Sequence, residues 1–410
     1  MFDSWITAHD PRKVFLVSDR GSITYRDLAA TRLEGTDQAV VEPGDGVQSV
    51  MEMAGALGSG RQVVVVDPLQ PAQERRRRIR LAGDALGREA ATILFTSGST
   101  GPAKGVRLTE SNWEAAAQAS TSHLDLRPDD IWLAAMPIHH VGGLSILFRC
   151  AFVGATVRWM PRFDPERVAA ALRADVTMAS LVPTMLRRLL DHDDGVYRGL
   201  RSVLVGGGPI PSGLLEKARE RGLPVLPTYG MTETCAQVAA LRPGAPLRRE
   251  AHPLPGVEVE IGDGGRIRVR GRQISPGYAD EDDRPPESWF TTPDRGELTD
   301  DGALRVLGRV DDVIVTGGEN VDPGRVEAEL SAHDRVTAVV VVGMADEEWG
   351  EVVAAGYSGT VPPVELGEWA RTRLAPHEVP RRIHQLGHIP LTEIGKPDRP
   401  ALRRMLSSRG

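Results

Sequence analysis

The sequence predicts an α/β fold with a large N-terminal domain and a small α+β C-terminal domain. Between residues 91 and 226, short apolar runs alternate with amphipathic stretches, which is typical of βαβ units and a mostly parallel, helix-covered sheet. From residue 256 the pattern changes to short alternating strands, which indicates a small β-rich subdomain. The last hundred residues combine apolar strands with helical runs. We therefore divide the chain into residues 1–308 and 309–410.

Length and composition limit the partners and the location. The 410 residues carry a formal net charge of -7, which offers no basic surface for nucleic acid. The first residues lack a basic segment followed by an apolar one, and no run of about 18 apolar residues occurs, so we expect no membrane partner and a cytoplasmic protein. The two cysteines, Cys150 and Cys235, are too few for a disulfide framework and lack neighbours at metal-ligand spacing.

In the large domain, apolar runs predict strands and amphipathic runs predict helices. The run at residues 62–67, closed by Pro68, indicates a buried strand. Residues 74–81 are basic and predict a helix whose charged face is either solvated or an anion-binding patch, and the acidic total favours the solvated face. Further strands are expected at residues 131–136, 156–160, 176–182, 202–205 and 223–226, with helices at 164–174 and 211–222.

The stretch Thr96-Ser-Gly-Ser-Thr-Gly-Pro-Ala-Lys-Gly105 lies between an apolar run and a helix that begins near residue 110. Its glycines allow backbone N–H groups to approach an anion, and Lys104 adds a positive charge. A Walker A loop is excluded, because that pattern needs Gly before the lysine and Ser or Thr after it, where this chain has Ala103 and Gly105. The stretch is therefore either a phosphate-binding loop at the end of a strand or a structural Ser/Gly turn.

Hairpin chemistry follows at residues 256–261 and 266–270, which are separated by the turn Gly262-Asp-Gly-Gly265. A second turn at residues 300–302 introduces a strand at 303–307. In the C-terminal part we expect helices at residues 323–332 and 363–374 and strands at 336–342 and 352–356.

Five stretches, taken together, resemble the adenylate-forming superfamily of acyl-CoA synthetases, adenylation domains and luciferases. They follow the superfamily's order and span residues 90 to 400. They are Thr96-Ser-Gly-Ser-Thr-Gly101 with Lys104, Tyr229-Gly-Met-Thr-Glu233, Trp289-Phe-Thr-Thr-Pro-Asp294, Gly308-Arg-Val-Asp-Asp312 with Gly317-Gly-Glu-Asn320, and Gly395-Lys396. The resemblance implies an AMP-forming ligase, in which a carboxylate attacks the α-phosphate of ATP, pyrophosphate leaves, and a thiol takes the acyl group.

The resemblance places ATP and Mg²⁺ on the large domain. The loop with Lys104 would hold the β- and γ-phosphates, Thr232 would contact the α-phosphate, and Glu233 would bind Mg²⁺, which prefers oxygen ligands. Without the other motifs, Glu233 would be read as a favourable acid at the start of a helix.

The same resemblance assigns residues to the adenine and the ribose of ATP. Adenine would lie against Gly206-Gly-Gly-Pro209 and stack on Tyr229, while Asp294 and Arg309 would bind the ribose hydroxyls. The superfamily usually has glycine before this aspartate, where the chain has Pro293. The residues assigned to ATP are Thr96, Ser97, Gly98, Ser99, Thr100, Gly101, Lys104, Gly206, Gly207, Gly208, Tyr229, Gly230, Met231, Thr232, Asp294 and Arg309.

The resemblance also implies that the C-terminal domain is mobile. Lys396 would reach the adenylate in the first half-reaction and then withdraw, with Asp311 as the hinge. Rotation would bring the segment of Gly317, Gly318, Glu319 and Asn320 to CoA. A lone exposed lysine is usually solvated, so only its place in the pattern supports this role for Lys396.

The acyl group is suggested by Met136-Pro-Ile-His-His-Val-Gly-Gly-Leu-Ser-Ile-Leu147 and Met231-Thr-Glu-Thr-Cys-Ala-Gln237, which resemble the ligases that join o-succinylbenzoate to CoA in menaquinone biosynthesis. His140, matched to a histidine that lines the acyl pocket, and Gly143 are assigned to it; the less favoured alternative is that His139 and His140 are ordinary loop residues. Arg149 is the candidate partner for a second carboxylate of the acid, with a surface arginine as the alternative. Lys396, Lys104, Thr232 and His140 form the predicted catalytic set.

Other functions remain open at this level. One is another aryl- or acyl-CoA ligase of secondary metabolism, and another is an adenylating enzyme that passes the acyl group to a carrier-protein thiol or an amine. A non-catalytic nucleotide-binding protein is disfavoured because Lys104, Glu233 and Lys396 are present. A homodimer is the assembly to test.

Overall fold

The fold is built on four sheets, in a computed structural model that describes residues 1–33, 35–44, 47–96, 103–211, 213–392 and 397–408. Within these ranges the strands are, in chain order, β1 (Val14–Ser18), β2 (Gly21–Thr24), β3 (Gln38–Val41), β4 (Gln62–Val65), β5 (Thr92–Phe95), β6 (Gly105–Leu108), β7 (Ile131–Ala134), β8 (Thr156–Trp159), β9 (Met178–Leu181), β10 (Ser202–Val205), β11 (Val225–Met231), β12 (Ala236–Ala240), β13 (His252–Pro253), β14 (Glu258–Ile261), β15 (Arg266–Arg270), β16 (Gly277–Tyr278), β17 (Phe290–Leu298), β18 (Leu304–Arg309), β19 (Ile314–Thr316), β20 (Glu319–Val321), β21 (Val336–Asp346), β22 (Gly350–Gly359) and β23 (Arg382–Gln385).

The helices of the same ranges are α1 (Phe2–Thr7), α2 (Tyr25–Ala30), α3 (Gln48–Gly58), α4 (Ala72–Gly83), α5 (Glu110–Leu124), α6 (Val141–Val153), α7 (Pro165–Ala174), α8 (Pro183–His192), α9 (Leu214–Glu220), α10 (Pro323–Ser331), α11 (Pro363–Arg371) and α12 (Arg399–Ser407). Local sequence explains several helix starts. Thr109 caps α5 by accepting from the backbone N–H of Asn112, and Asp164 caps α7, which continues with Pro165 in its first turn. None of these helices is long and apolar enough to cross a membrane.

The largest sheet has nine strands in the order β13-β12-β11-β10-β9-β7-β8-β1-β2. The strands that lie between β11 and β1 in this order, both included, pair in parallel. The strands outside them, β12 and β13 on one side and β2 on the other, pair antiparallel. Alternate residues of β7 enter different cores: Trp132 and Ala134 pack in the cluster that contains residues of α5 and α6, while Leu133 packs with α7, α8 and α9. Burial on both faces accounts for the continuously apolar strands, and the predicted α/β class is confirmed.

A second sheet, in the order β16-β6-β5-β4-β3, carries the two ends of the predicted phosphate loop. Here the sequence prediction was incomplete, because a strand, β6, precedes the helix expected near residue 110. It pairs antiparallel with β5, so Gly105 lies opposite Phe95. Lys104 thus stands at the start of a strand and not within an extended loop.

The β-rich subdomain is an antiparallel sheet in the order β14-β15-β17-β18, which confirms the predicted hairpin. The C-terminal sheet runs β20-β19-β22-β21, with β23 parallel to β22. Short strands β19, β20 and β23 and helix α12 were not predicted. The two parts of the chain touch where Arg187 of α8 donates to the backbone oxygen of Thr337 at 2.6 Å.

Candidate active site

A row of polar side chains begins at the end of β11. The hydroxyl of Tyr229 donates to Oδ2 of Asp294 at 2.8 Å, and burial together with this carboxylate raises the pKa of Tyr229. Asp294 on β17 lies directly opposite Arg309 on β18. The structure therefore brings together three of the residues that the resemblance assigns to the nucleoside.

Pro293 does not disturb this arrangement. Strands β15 and β17 pair Arg266 with Arg295 and Arg268 with Thr291, with an irregular register between them. Proline is tolerated at such irregular positions because no regular ladder hydrogen bond depends on its missing N–H. The following residue, Asp294, still donates its N–H to the hydroxyl of Thr292 at 3.2 Å.

Glycines allow two backbone segments to pass close to this row. A Cβ atom on Gly230 would lie 1.6 Å from the carbonyl oxygen of Ala236, and one on Gly206 would lie 2.5 Å from that of Thr228. Any side chain at Gly230 would force β11 and β12 apart. The segment of Gly206, Gly207 and Gly208 is thus held beside the strand that carries Tyr229, as an adenine wall requires.

After β11 the chain makes a 3₁₀ turn, Thr232–Thr234, which carries the predicted phosphate and metal residues. Met231 and Thr232 lie at its start, and the hydroxyl of Thr234 accepts from the N–H of Met231 at 3.0 Å. The backbone oxygen of Glu233 accepts from the N–H of Ser275 at 2.8 Å. The turn is therefore fixed from within and from a second segment of the chain.

The side chain of Glu233 is held by a residue that the sequence analysis did not single out. The hydroxyl of Tyr278 donates to Oε1 of Glu233 at 3.0 Å, and Nζ of Lys104 lies 4.3 Å from the centre of the Tyr278 ring. Lys104 also lies 3.4 Å from Oε1 of Glu281. The predicted phosphate lysine and the predicted metal carboxylate are therefore neighbours of one phenol.

This donor set fits Mg²⁺ bound together with a nucleotide. Within the described ranges no cluster of three or more His, Cys, Asp or Glu side chains could hold a metal ion. Mg²⁺ at nucleotide sites commonly uses one or two carboxylates and completes its shell with phosphate oxygens and water. Glu233 supplies one such carboxylate.

The acyl-site candidates lie around α6. His140 is the residue before the helix, and its ring centre lies 4.4 Å from that of His139, whose Nε2 is 3.9 Å from Oδ2 of Asp67. A Cβ atom on Gly143 would be 2.3 Å from the carbonyl oxygen of Pro137, so only glycine permits this close packing of the helix start.

Arg149 lies deep in the same helix and is only 3% exposed, which rules out the surface alternative. Its guanidinium carbon is 5.4 Å from the centre of the Trp132 ring. Burial lowers the pKa of Arg149 to about 10, and the nearby Cys235 and Cys150 thiols partly oppose this effect. No Asp or Glu within the described part of the chain forms an ion pair with it. Both cysteines are free and buried.

The C-terminal candidates are not gathered at this row. Gly317 and Gly318 form the turn between β19 and β20, and all four residues through Glu319 and Asn320 are exposed. A Cβ atom on Gly317 would be 2.6 Å from the ring of Trp349, which packs beneath the turn. Asp311 lies in the 3₁₀ turn Val310–Asp312, with a carboxylate oxygen 3.5 Å from Arg309.

Several predicted residues fall outside the described ranges. These are Ser97, Gly98, Ser99, Thr100 and Gly101 of the phosphate loop, and Lys396. Their flanks are described: the N–H of Thr96 donates to the carbonyl of Lys104 at 3.0 Å, and Leu391 pairs with Pro397 across an isolated bridge.

Sequence reasoning missed Tyr278, Glu281 and the His139–Asp67 contact. Tyr278 and Glu281 approach Lys104 from a distance of more than 170 positions along the chain. The dipeptide Gly277-Tyr278 has no unusual local feature, so its role could have emerged only from the pairing of β16 with β6.

Comparisons with known proteins show the family of the chain. The AMP-binding enzyme family model matches residues 38–279, and the model of the AMP-binding enzyme C-terminal domain matches residues 325–396. A 2-succinylbenzoate–CoA ligase from Bacillus licheniformis is 41% identical over 322 residues, which cover 74% of this chain and 67% of that protein. The corresponding ligase from Bacillus mycoides is 40% identical over 339 residues, covering 78% and 70%.

Solved structures show the same fold. O-succinylbenzoate coenzyme A synthetase from Bacillus subtilis, in complex with ATP and magnesium ion, matches with a TM-score of 0.86 at 28% identity, covering 98% of this chain and 99% of that one. ATP-bound MatB from Rhodopseudomonas palustris matches with a TM-score of 0.86 at 22% identity, covering 100% and 99%, and shows the fold alone. The chain therefore belongs to the AMP-binding enzyme family, in which the relatives described above are 2-succinylbenzoate–CoA ligases.

Proposed function

We propose that the protein is an AMP-forming acid:CoA ligase that activates o-succinylbenzoate with ATP and transfers the acyl group to CoA. Family membership supports the reaction class. The names of the relatives at about 40% identity support the acid and the acceptor.

The observation that carries the choice of acid is the burial of Arg149. A guanidinium that is 3% exposed and has no ion pair with the described residues is unfavourable in the free protein. A dicarboxylic acid can offer one carboxylate to ATP and the other to Arg149. The adjacent Trp132 provides an apolar surface suited to an aromatic ring.

In the first half-reaction, the large domain would bind and orient ATP. Tyr229 and Asp294 would hold adenine and ribose together with Arg309, and Thr232 would donate to the α-phosphate. Lys104 would neutralise the oxygens of the β- and γ-phosphates, which leave as pyrophosphate. Mg²⁺ held by Glu233 would supply further stabilisation of the charge that develops on the phosphates.

Lys396 would add a positive charge at the adenylate during the same step. His140 would line the acyl pocket, with Gly143 allowing α6 to begin directly behind it. In the second half-reaction, rotation about Asp311 would bring the exposed turn of Gly317 to Asn320 toward the CoA thiol. The small domain, which the sequence predicts at residues 309–410, is the unit proposed to move, except that Arg309 ends β18 and stays with the large domain.

The direct test is to incubate the protein with ATP, Mg²⁺, CoA and o-succinylbenzoate and to follow products by mass spectrometry. We expect AMP and the acyl-CoA thioester in equal amounts. AMP formation that does not need CoA, with a carrier protein or an amine as acceptor, would contradict the CoA assignment. A thioester formed from a different acid, and none from o-succinylbenzoate, would contradict the choice of acid and leave the reaction class intact.

Two further expectations remain predictions. A cytoplasmic location can be tested by cell fractionation, and a homodimer by light scattering of the purified chain.

A further inference from the structure

One segment, residues 277–283, connects parts of the proposed ATP site that lie far apart in sequence. It begins as β16, in which Gly277 pairs with Arg107 and Tyr278 with Val106. The N–H of Ala279 then donates to the carbonyl of Gly105 at 2.7 Å. The segment is therefore bonded to the strand that starts immediately after Lys104.

A buried arginine anchors the far end of the segment. Arg107 is fully buried on β6, its Nε donates to the carbonyl of Tyr278 at 3.1 Å, and its Nη2 lies 2.5 Å from Oδ1 of Asp283. A charge-assisted bond to a buried guanidinium is stronger than a bond between neutral groups. The backbone around Tyr278 is thus held on both sides.

From this position the Tyr278 side chain makes two contacts at once. Its hydroxyl donates to Oε1 of Glu233 at 3.0 Å, and its ring faces Nζ of Lys104 at 4.3 Å.

We propose that Tyr278 is a positioning residue that sets the Mg²⁺-binding carboxylate of Glu233 at a fixed place relative to Lys104. The proposal rests on the proposed function only in its use of Mg²⁺ and ATP and is independent of the acid. A carboxylate ligand is oriented by the groups that hydrogen-bond to it, and loss of such a partner commonly weakens metal binding 10- to 100-fold. The ring makes a separate contribution through its attraction for the ammonium group.

Two substitutions separate these contributions. Tyr278→Phe removes the hydroxyl and keeps the ring, while Tyr278→Leu removes both. Tyr197→Phe is the matched control, because the hydroxyl of Tyr197 also donates to a carboxylate, that of Asp193, and both residues lie outside the proposed site. Thermal unfolding of each variant is measured first.

The readout is binding without catalysis. Mn²⁺ replaces Mg²⁺ and is titrated by electron paramagnetic resonance in the presence of α,β-methylene-ATP, with no acid and no CoA. Affinity for the analogue without metal is measured separately by calorimetry. Activity with any acid plays no part, so a wrong choice of acid leaves this test unaffected.

We expect Tyr278→Phe to bind Mn²⁺ about 10-fold more weakly, with the metal-free affinity for the analogue changed less than about twofold. Tyr278→Leu should show the same metal defect and, in addition, about threefold weaker metal-free binding of the analogue. Tyr197→Phe should retain both affinities. If Tyr278→Phe fails to fold, Tyr278→Leu carries the test of the metal defect. Unchanged Mn²⁺ affinity in the folded Tyr278 variants, or the same metal defect in Tyr197→Phe, would overturn the proposal.

Discussion

Replacing Arg149 by methionine should stabilise the free protein while it impairs binding of a dicarboxylic acid. Burial lowers the pKa of this guanidinium from its ordinary value of 12.5 to about 10, which corresponds to a cost of about 3 kcal/mol for its charged form. Because the folded-state pKa lies below the unfolded one, this cost is fully present below pH 10. It disappears as the pH rises toward the unfolded value.

Methionine keeps most of the aliphatic stem and removes the charge. We expect the free energy of unfolding to rise by about 1–3 kcal/mol, whereas most core substitutions lower it. For o-succinylbenzoate the second carboxylate would then be buried without a cation. Breaking such a pair costs about 3–5 kcal/mol, so the KM should rise about 100-fold or more.

Two acids and one further variant make the test specific. The acid 4-oxo-4-phenylbutanoate keeps the ketone and lacks the ring carboxylate, so its KM should change less than about threefold in Arg149→Met. Arg149→Lys retains the positive charge and should show neither the stability gain nor the full KM defect. Unfolding is measured in urea, and adenylation by exchange of pyrophosphate into ATP.

The reasoning is refuted if Arg149→Met is less stable than the parent protein and its KM rises equally for both acids. That pair of results would mean that Arg149 is a structural core residue, with internal partners that matter more than any substrate.

Three more results are expected. Glu233→Gln should raise the Mg²⁺ concentration needed for half-maximal adenylation about 10-fold or more, and an unchanged Mg²⁺ titration would contradict its metal role. Lys396→Ala should lower adenylation at least about 100-fold and largely spare thiolysis of a supplied acyl-adenylate, as rapid-quench assays of the separate half-reactions can show. Tyr229→Phe removes the hydrogen bond to Asp294 and should raise the KM for ATP about 10-fold, with a smaller rise for 2′-deoxy-ATP. An equal rise for both nucleotides would show that Asp294 does not bind the ribose hydroxyl.

The sequence predicted the large elements because their signals are local. The strand at residues 202–205 and the hairpin of β14 and β15 coincide with apolar or alternating runs, and both are confirmed. Strand β6 was missed because it has only four residues and follows a glycine-rich stretch. Its pairing with β5 buries these residues, and no local sequence pattern shows that pairing. Short strands such as β19 and β23 depend on their neighbours in the same way.

In the candidate site, too, the residues in local motifs could be predicted and those that depend on tertiary contacts could not. Tyr229, Asp294 and Arg309 could be named from motifs, and the structure brings them together through the hydrogen bond of Tyr229 to Asp294 and the pairing of β17 with β18. Burial of Arg149 was not predicted from the sequence, since arginine is almost never fully buried unless it is paired. The contact of Tyr278 with Lys104 depends on tertiary pairing and has no counterpart in local pattern.

The connection between the two parts of the chain limits where rotation can occur. Arg309 belongs to β18 and therefore to the sheet of the large domain. Asp312, only three positions later, is tied to the C-terminal part, because its Oδ2 lies 3.2 Å from Nε of Arg399, whose Nη1 is in turn 2.6 Å from Oε1 of the buried Glu327.

Val310 and Asp311 lie between the two anchored residues, Arg309 and Asp312. A change of backbone torsion at these two residues could move the turn of Gly317 to Asn320 relative to the row formed by Tyr229, Glu233 and Lys104, without breaking either anchor. Arg399 is partly buried and begins helix α12, so its contact with Asp312 also ties that helix to the residue after Asp311. Helix α12 and the turn proposed for CoA would therefore move as one body in a rotation at Val310 and Asp311, as two successive reactions on a single adenylate require.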